Sequence, residues 1–178
     1  MPKIPGLGAS SLAVGELRRR SARIRLLVLD VDGVLTDGGM YYGPQGEAMK
    51  RFDTRDGVGI VQAMEAGIEV AFLTREATPF AKARADKLGV TRCISGALDK
   101  ASALKSLQRE VGVEPAETAY VGDDLGDAPC IPMVGLFFTP EDGWLKGAKG
   151  IHVVLKKGGG KGAVRQAVNF LLDHRSRK

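Results

Sequence analysis

The sequence predicts an α/β fold: a doubly wound parallel sheet with helices on both faces, a β-hairpin flap and no cap domain. Three observations carry this reading. Compact apolar runs with β-branched members recur along the chain, and amphipathic stretches of about 10–15 residues separate them. Strands alternating with such helices build βαβ units, whose parallel sheet is covered on both sides. One stretch rich in Gly, Pro and Tyr breaks the alternation and is too short for a domain of its own. A chain of 178 residues is long enough for one domain with a proper core.

Residues 1–22 read as a Gly/Ser-containing N-terminal extension with a short helix at Ser11–Arg20. A single domain follows over 23–178. Its first strand is Ile24–Leu29, an apolar run fit for burial on both faces. Ile68–Leu73, Thr118–Val121, Val134–Phe138 and His152–Leu155 follow as further strands, and Asp56–Glu65, Pro79–Leu88, Lys100–Val111 and Gly162–Asp173 as helices. The odd stretch covers about 36–54. Turn formers at Gly38-Gly39 and Gly43-Pro44-Gln45-Gly46 flank the strand-like pieces Met40–Tyr42 and Glu47–Phe52, a hairpin inserted after the first strand.

Composition excludes several classes. No apolar run approaches the roughly 20 residues of a membrane span, and the N-terminus lacks the order of charge and apolar residues of a secretory signal. A cytoplasmic location is therefore expected. Cys93 and Cys130 fit no disulfide framework or metal spacing and read as buried or half-buried thiols. The net charge of +5 is concentrated at Arg18–Arg25 and Lys156–Lys178. Nucleic-acid binding wants basic residues interleaved with aromatics, which are scarce. A basic rim for an anionic small substrate, or solubilising tails, fits as well.

Chemistry concentrates in two acidic loops, each directly after a strand. Asp30-Val31-Asp32-Gly33-Val34 follows the first. In open α/β sheets ligands sit beyond the carboxyl ends of the strands, so both aspartates are expected to face that crevice. Gly33 permits a turn that brings backbone amides to a phosphate. A calcium loop is excluded, because its fifth and twelfth positions would be Val34 and Tyr41. The second loop carries Asp123, Asp124 and Asp127. Alone, such a cluster is usually a solvated turn; beside the first loop it requires a hard divalent cation to relieve repulsion. Thr74, ending the second strand, offers its hydroxyl and amide to a phosphoryl oxygen, or else caps a helix. Lys100, opening a helix, offers a fixed positive charge.

These pieces resemble, in order, the haloacid dehalogenase superfamily of phosphohydrolases. The likeness is closest to its small capless branch acting on 3-deoxy-D-manno-octulosonate (KDO) 8-phosphate. It is carried by LDVDGVLTDG at 29–38, Tyr42, Gly43 and Gly46 of the hairpin, FDTRDGVGI at 52–60, YVGDDLGD at 120–127 and GGGKGAVR at 158–165. The resemblance implies a Mg2+-dependent phosphatase acting through an aspartyl-phosphate intermediate, in lipopolysaccharide-sugar synthesis. It implies that Asp30 is the nucleophile and a metal ligand, and that Asp32 is the general acid–base with its backbone carbonyl on the metal. Asp123 would be the other ligand, Asp124 and Asp127 supporting groups, and Thr74 and Lys100 the phosphate clamp. Arg55 and Asp56 would line the site with Gly33, Arg75 and Glu76. It further implies a homotetramer in which neighbouring hairpins associate, with the glycine-rich segment 158–162 near the entrance or a neighbouring subunit.

The sequence departs from this branch after the second strand, where Thr-Gly-Arg is usual and Thr74-Arg75-Glu76 stands. A glutamate there, with a lysine such as Lys87 further on, resembles relatives acting on nine-carbon sugar-acid 9-phosphates; alternatively Arg75 takes the missing arginine's role. An idle oligomerisation domain, a different enzyme on the same scaffold (a mutase, or a phosphatase for a protein or nucleotide) and a phospho-receiver are the other readings. The intact Asp30, Asp32, Lys100 and Asp123 speak against the first, the missing cap against a mutase and Asp32 against the phospho-receiver, and a screen over phosphomonoesters separates the phosphatases.

Overall fold

The computed structural model describes residues 3–4 and 7–174; the end of the basic C-terminal stretch, 175–178, and part of the lead-in lie outside the described residues. The strands are β1 (Lys3–Ile4), β2 (Gly8–Ser10), β3 (Leu26–Leu29), β4 (Tyr41–Gly43), β5 (Gly46–Met49), β6 (Glu69–Leu73), β7 (Arg92–Ile94), β8 (Thr118–Val121), β9 (Leu136–Thr139) and β10 (Val153–Leu155). The helices are α1 (Val14–Ser21), α2 (Thr54–Glu65), α3 (Pro79–Leu88), α4 (Lys100–Val111) and α5 (Ala163–Asp173). The main sheet runs β1-β2-β10-β9-β8-β3-β6-β7, and its strands from β10 to β7 are parallel.

Side-chain alternation explains the two layers. Leu27 and Leu29 of β3 join one apolar cluster with Val70, Phe72, Val121 and Phe138, while Leu26 and Val28 join another with Ala71, Leu73, Tyr120 and Phe137. Successive residues of a strand face opposite sides, so an unbroken apolar run such as LLVL needs cover on both. Helices α1, α2, α3 and α5 supply the first cover through Leu17, Ile60, Ala81 and Val164. Helix α4 and the turn at Ala128–Met133 supply the second through Leu104, Leu107 and Cys130.

The helix boundaries follow local chemistry. Asp53 caps α2 by accepting the Arg55 amide, Asp99 caps α4 by accepting the Ser102 amide, and Pro79 opens α3. Left-handed Gly89 and Gly112 end α3 and α4. Cys93 is half-buried and Cys130 buried, both as free thiols.

Three differences from the sequence reading stand out. The lead-in expected to precede the domain is partly built into it: β2 pairs antiparallel with β10, β1 with β2, and Leu7 and Leu17 are buried. Strands of two and three residues, the second of them Gly-Ala-Ser, are too short for hydrophobic alternation to betray them. The same holds for β7, three residues of mixed polarity at the other edge. The second hairpin strand ends at Met49 instead of Phe52, and residues 50–53 form the link to α2.

The chain leaves β3 for β6 and β7 on one side, then crosses back to β8, β9 and β10 on the other. A crevice therefore opens between the carboxyl ends of β3 and β8, where the two acidic loops emerge. Among the described residues, no helix is long and apolar enough to cross a membrane.

Candidate active site

The first loop is set by hydrogen bonding directly after β3. The Asp30 amide continues the ladder to the Val121 carbonyl, and the Val31 carbonyl accepts the amides of Val34, Leu35 and Thr36. Gly33 takes φ +81°, and a Cβ there would lie 2.0 Å from Asp123 Oδ2. Only glycine lets the two acidic loops come this close.

Asp127 organises the floor. Its Oδ1 accepts Lys100 Nζ (2.7 Å) and the Tyr120 hydroxyl (2.7 Å), and its Oδ2 accepts the amides of Asp123 (3.1 Å) and Asp124 (3.4 Å). Lys100 Nζ also lies 2.8 Å from Asp30 Oδ1, which in turn accepts the Val31 amide. Burial, and then the Asp127 charge, push the Asp30 carboxyl well above its ordinary range. Asp123 is pushed up to about 7 by burial, then by Asp127 and Asp124. Burial works against the Lys100 charge, but Asp30 and Asp127 outweigh it and raise its pKa.

Asp30, Asp32, Thr74, Arg75, Glu76, Lys100, Asp123, Asp124, Gly126 and Asp127 thus line one cleft of about 200 Å³. Oxygens of Asp30, Asp123 and Asp127 approach one another closely enough to share a cation. Asp127 is the poorest ligand of the three because both its oxygens are already engaged. Asp123 Oδ1 is buried without a hydrogen-bond partner. Hard oxygen donors, raised carboxylates and an orphaned buried oxygen fit a divalent cation such as Mg2+.

Several expected roles change. Asp56, expected to line the site, is buried elsewhere: its carboxylate accepts the amides of Gly162 (3.2 Å) and Arg165 (2.8 Å), pinning the start of α5. Arg55 likewise stays outside the cleft and pairs with Asp53. The Thr74 amide is not available to a ligand, since it donates to the Ile94 carbonyl at 2.9 Å. Its hydroxyl accepts the Glu76 amide, so only the O–H is left to donate into the cleft. Thr78, not Thr74, precedes α3. Lys87 is exposed on the last turn of α3, away from the cleft lining. The glycine run packs within its own chain: a Cβ on Gly159 would lie 2.0 Å from the Gly33 carbonyl oxygen, and the Gly160 amide donates to the Val34 carbonyl.

Two participants were missed from sequence. Tyr120 reads as a strand residue, and only its place on the α4 side of the sheet delivers its hydroxyl to Asp127. Lys50, after β5, reaches back so that Nζ lies 2.5 Å from Asp32 Oδ1 and 3.3 Å from Glu47 Oε1. Its side chain is 1% exposed, unusual for a lysine on a hairpin, but that burial cannot be read from one chain position.

The fold and this cleft define the class, an α/β phosphohydrolase built on paired acidic loops. No family model matches the chain. It is 37% identical over 157 residues, 88% of this chain and 87% of the other, to the 3-deoxy-D-manno-octulosonate 8-phosphate phosphatase of Haemophilus influenzae. A Moraxella catarrhalis phosphatase of the same name, solved with magnesium, phosphate and KDO, superposes with a TM-score of 0.87 at 31% identity, covering 92% of this chain and 94% of that one. A Legionella pneumophila protein described as a haloacid dehalogenase superfamily (subfamily III A) hydrolase gives 0.87 at 35%, covering 90% and 88%. The chain belongs to the 3-deoxy-D-manno-octulosonate 8-phosphate phosphatase family of the haloacid dehalogenase superfamily and is a phosphomonoester hydrolase.

Proposed function

We propose that this chain hydrolyses 3-deoxy-D-manno-octulosonate 8-phosphate in a Mg2+-dependent reaction through a phosphorylated Asp30. The observation that carries the reading is the convergence of Asp30, Asp32, Lys100 and Asp123 on one cleft at the switch point of the sheet. Asp30 attacks phosphorus while the ester bond to the sugar breaks in line. Asp32 gives a proton to the departing oxygen, then takes one from the water that hydrolyses the aspartyl phosphate. Lys100 and the Thr74 hydroxyl hold phosphoryl oxygens against the nucleophile. The carboxylates of Asp30 and Asp123, with the Asp32 backbone carbonyl, would hold the Mg2+, which supplies charge neutralisation at the phosphate. Asp127, and to a lesser degree Asp124, keep this floor in register.

Arg75 and Glu76 line the same cleft and are assigned to the sugar acid. Glu76 also supports a second reading, a nine-carbon sugar-acid 9-phosphate. The proposal extends to a cytoplasmic homotetramer joined through its hairpins, for which the exposed Met40, Tyr41, Tyr42 and Met49 supply the apolar surface.

The test is phosphate release from both sugar-acid phosphates, with magnesium and with EDTA, by wild type and Asp30→Asn. Magnesium-dependent turnover that Asp30→Asn abolishes supports the mechanism, and the preferred ester assigns the substrate. Absence of turnover on both would sink the reading and favour an idle scaffold.

A further inference from the structure

The flap is not merely a cover. Its exit residue Lys50 buries its whole side chain to place Nζ 2.5 Å from Asp32 Oδ1, with Glu47 Oε1 at 3.3 Å behind it. Asp32 Oδ2, the other carboxylate oxygen, is buried and has no hydrogen-bond partner, and Asp32 itself lines the cleft. One oxygen of this carboxyl is therefore fixed and the other has no protein partner. We propose that Lys50 is a positioning residue for proton transfer: by holding Oδ1 of Asp32 it fixes the orientation of the carboxyl in the cleft, so that the docked flap completes the leaving-group side of the site. The inference rests on the acid–base role proposed above for Asp32.

The arrangement serves both half-reactions without Lys50 letting go. In the first, Asp32 is a neutral acid whose Oδ1 accepts from Lys50. As the P–O ester bond breaks, its electron pair stays on the sugar oxygen, which takes the proton from the Asp32 carboxyl. In the second, Asp32 is a carboxylate, Oδ1 still accepts from Lys50, and the carboxylate takes a proton from the attacking water. Lys50 remains an ammonium throughout, and Glu47 on the same hairpin balances its charge. A long side chain fixed at both ends of its charge costs rotamer entropy, which an ornamental surface lysine would not incur.

A positioning role predicts a dependence on the leaving group that a purely structural role does not. An alkyl ester departs as an alkoxide and needs the proton; p-nitrophenyl phosphate departs as a stabilised phenolate and does not. The value of kcat/KM, which reports through release of the leaving group, is to be measured on both esters in the full-length Mg2+-loaded enzyme. Variants are Lys50→Met, Lys50→Arg and Asp32→Asn. The expected result is a loss for Lys50→Met about tenfold or more greater on the sugar-acid phosphate than on the aryl ester. Lys50→Arg should recover most of it, and Asp32→Asn should show the same selectivity more strongly. Equal losses on both esters for Lys50→Met, or none, with Asp32→Asn still selective, would overturn the positioning role alone. An unselective Asp32→Asn would overturn the acid–base assignment and this inference with it.

Discussion

The floor of the cleft and the flap above it are held by opposite means. On the floor, the fully buried Asp127 accepts from four donors, and Lys100, the first residue of α4, bridges it to Asp30, which directly follows the buried strand β3. The flap is a two-stranded ribbon whose Tyr42 is 69% exposed, and side chains such as those of Lys50 and Arg51 tie it back to the body. A two-stranded ribbon alone is marginal in water. The contrast teaches where rigidity comes from: phosphoryl transfer requires fixed charge at phosphorus, which the buried floor supplies, whereas the flap depends on a few side-chain ties to the body.

The sharpest way to break the floor is at its nucleophile. Asp30→Asn should reduce turnover by about 1,000-fold or more while leaving the fold intact, since it removes the attacking oxygen's charge; steady-state phosphate release and far-UV circular dichroism check the two halves of that statement. Asp127→Ala leaves the Tyr120 hydroxyl and two amides without their acceptor and takes from Lys100 one of its two carboxylates, and should cost about 3–5 kcal/mol in urea unfolding. If the loss is under about 1 kcal/mol, the description of Asp127 as the organising acceptor is wrong.

The glycine brace sits between the two regions. In Gly159→Ala a Cβ would lie 2.0 Å from the Gly33 carbonyl oxygen, backbone against backbone, so the acidic loop must shift. A destabilisation of about 1–3 kcal/mol is expected, accompanied by lost activity. Wild-type behaviour would mean that the loops adjust freely.

Ionisation sharpens the comparison further. The folded-state value of Asp123, about 7, lies above that of an ordinary carboxyl. Between the two values the folded state keeps a proton that the unfolded chain has lost, so the metal-free protein should lose stability as pH rises through that window. Asp30 shifts in the same direction. Divalent cations bind the ionised form, so the gain in Tm on adding Mg2+ should be larger near about pH 8 than near about pH 6; an equal gain at both would place the ion elsewhere. The smallest effect belongs to the flap tip, where Tyr42→Ser should change protomer stability by no more than about 0.5 kcal/mol. Sedimentation of the same variant tests the proposed hairpin-mediated tetramer, which this substitution is expected to weaken if it forms.

Legibility in the sequence followed the same divide. Asp30 and Asp123 could be placed because an apolar run announces where a strand ends, and the first one or two residues after it reach the crevice. Asp56 was misplaced for the opposite reason: its position beside the flap suggests the cleft, yet its partners are the amides of Gly162 and Arg165, more than a hundred residues away. An even longer stretch of chain separates Gly159 from Gly33, so the bracing of the acidic loop by the glycine run left no signal along the sequence. Tyr120 and Lys50 carried no signal beyond their residue type.

What the sequence by itself determined was the order of βαβ units, the hairpin and the loops that bear the acids, because strand and helix periodicity and turn chemistry are local. Tertiary structure alone decided which carboxylates are saturated and which are left with a free oxygen. It also decided that edge strands β1 and β2 join the sheet and that a flap lysine completes the site. These depend on burial and on hydrogen-bond partners brought together by the crossing of the chain at β3 and β8, and no periodicity along the chain encodes a partner across it.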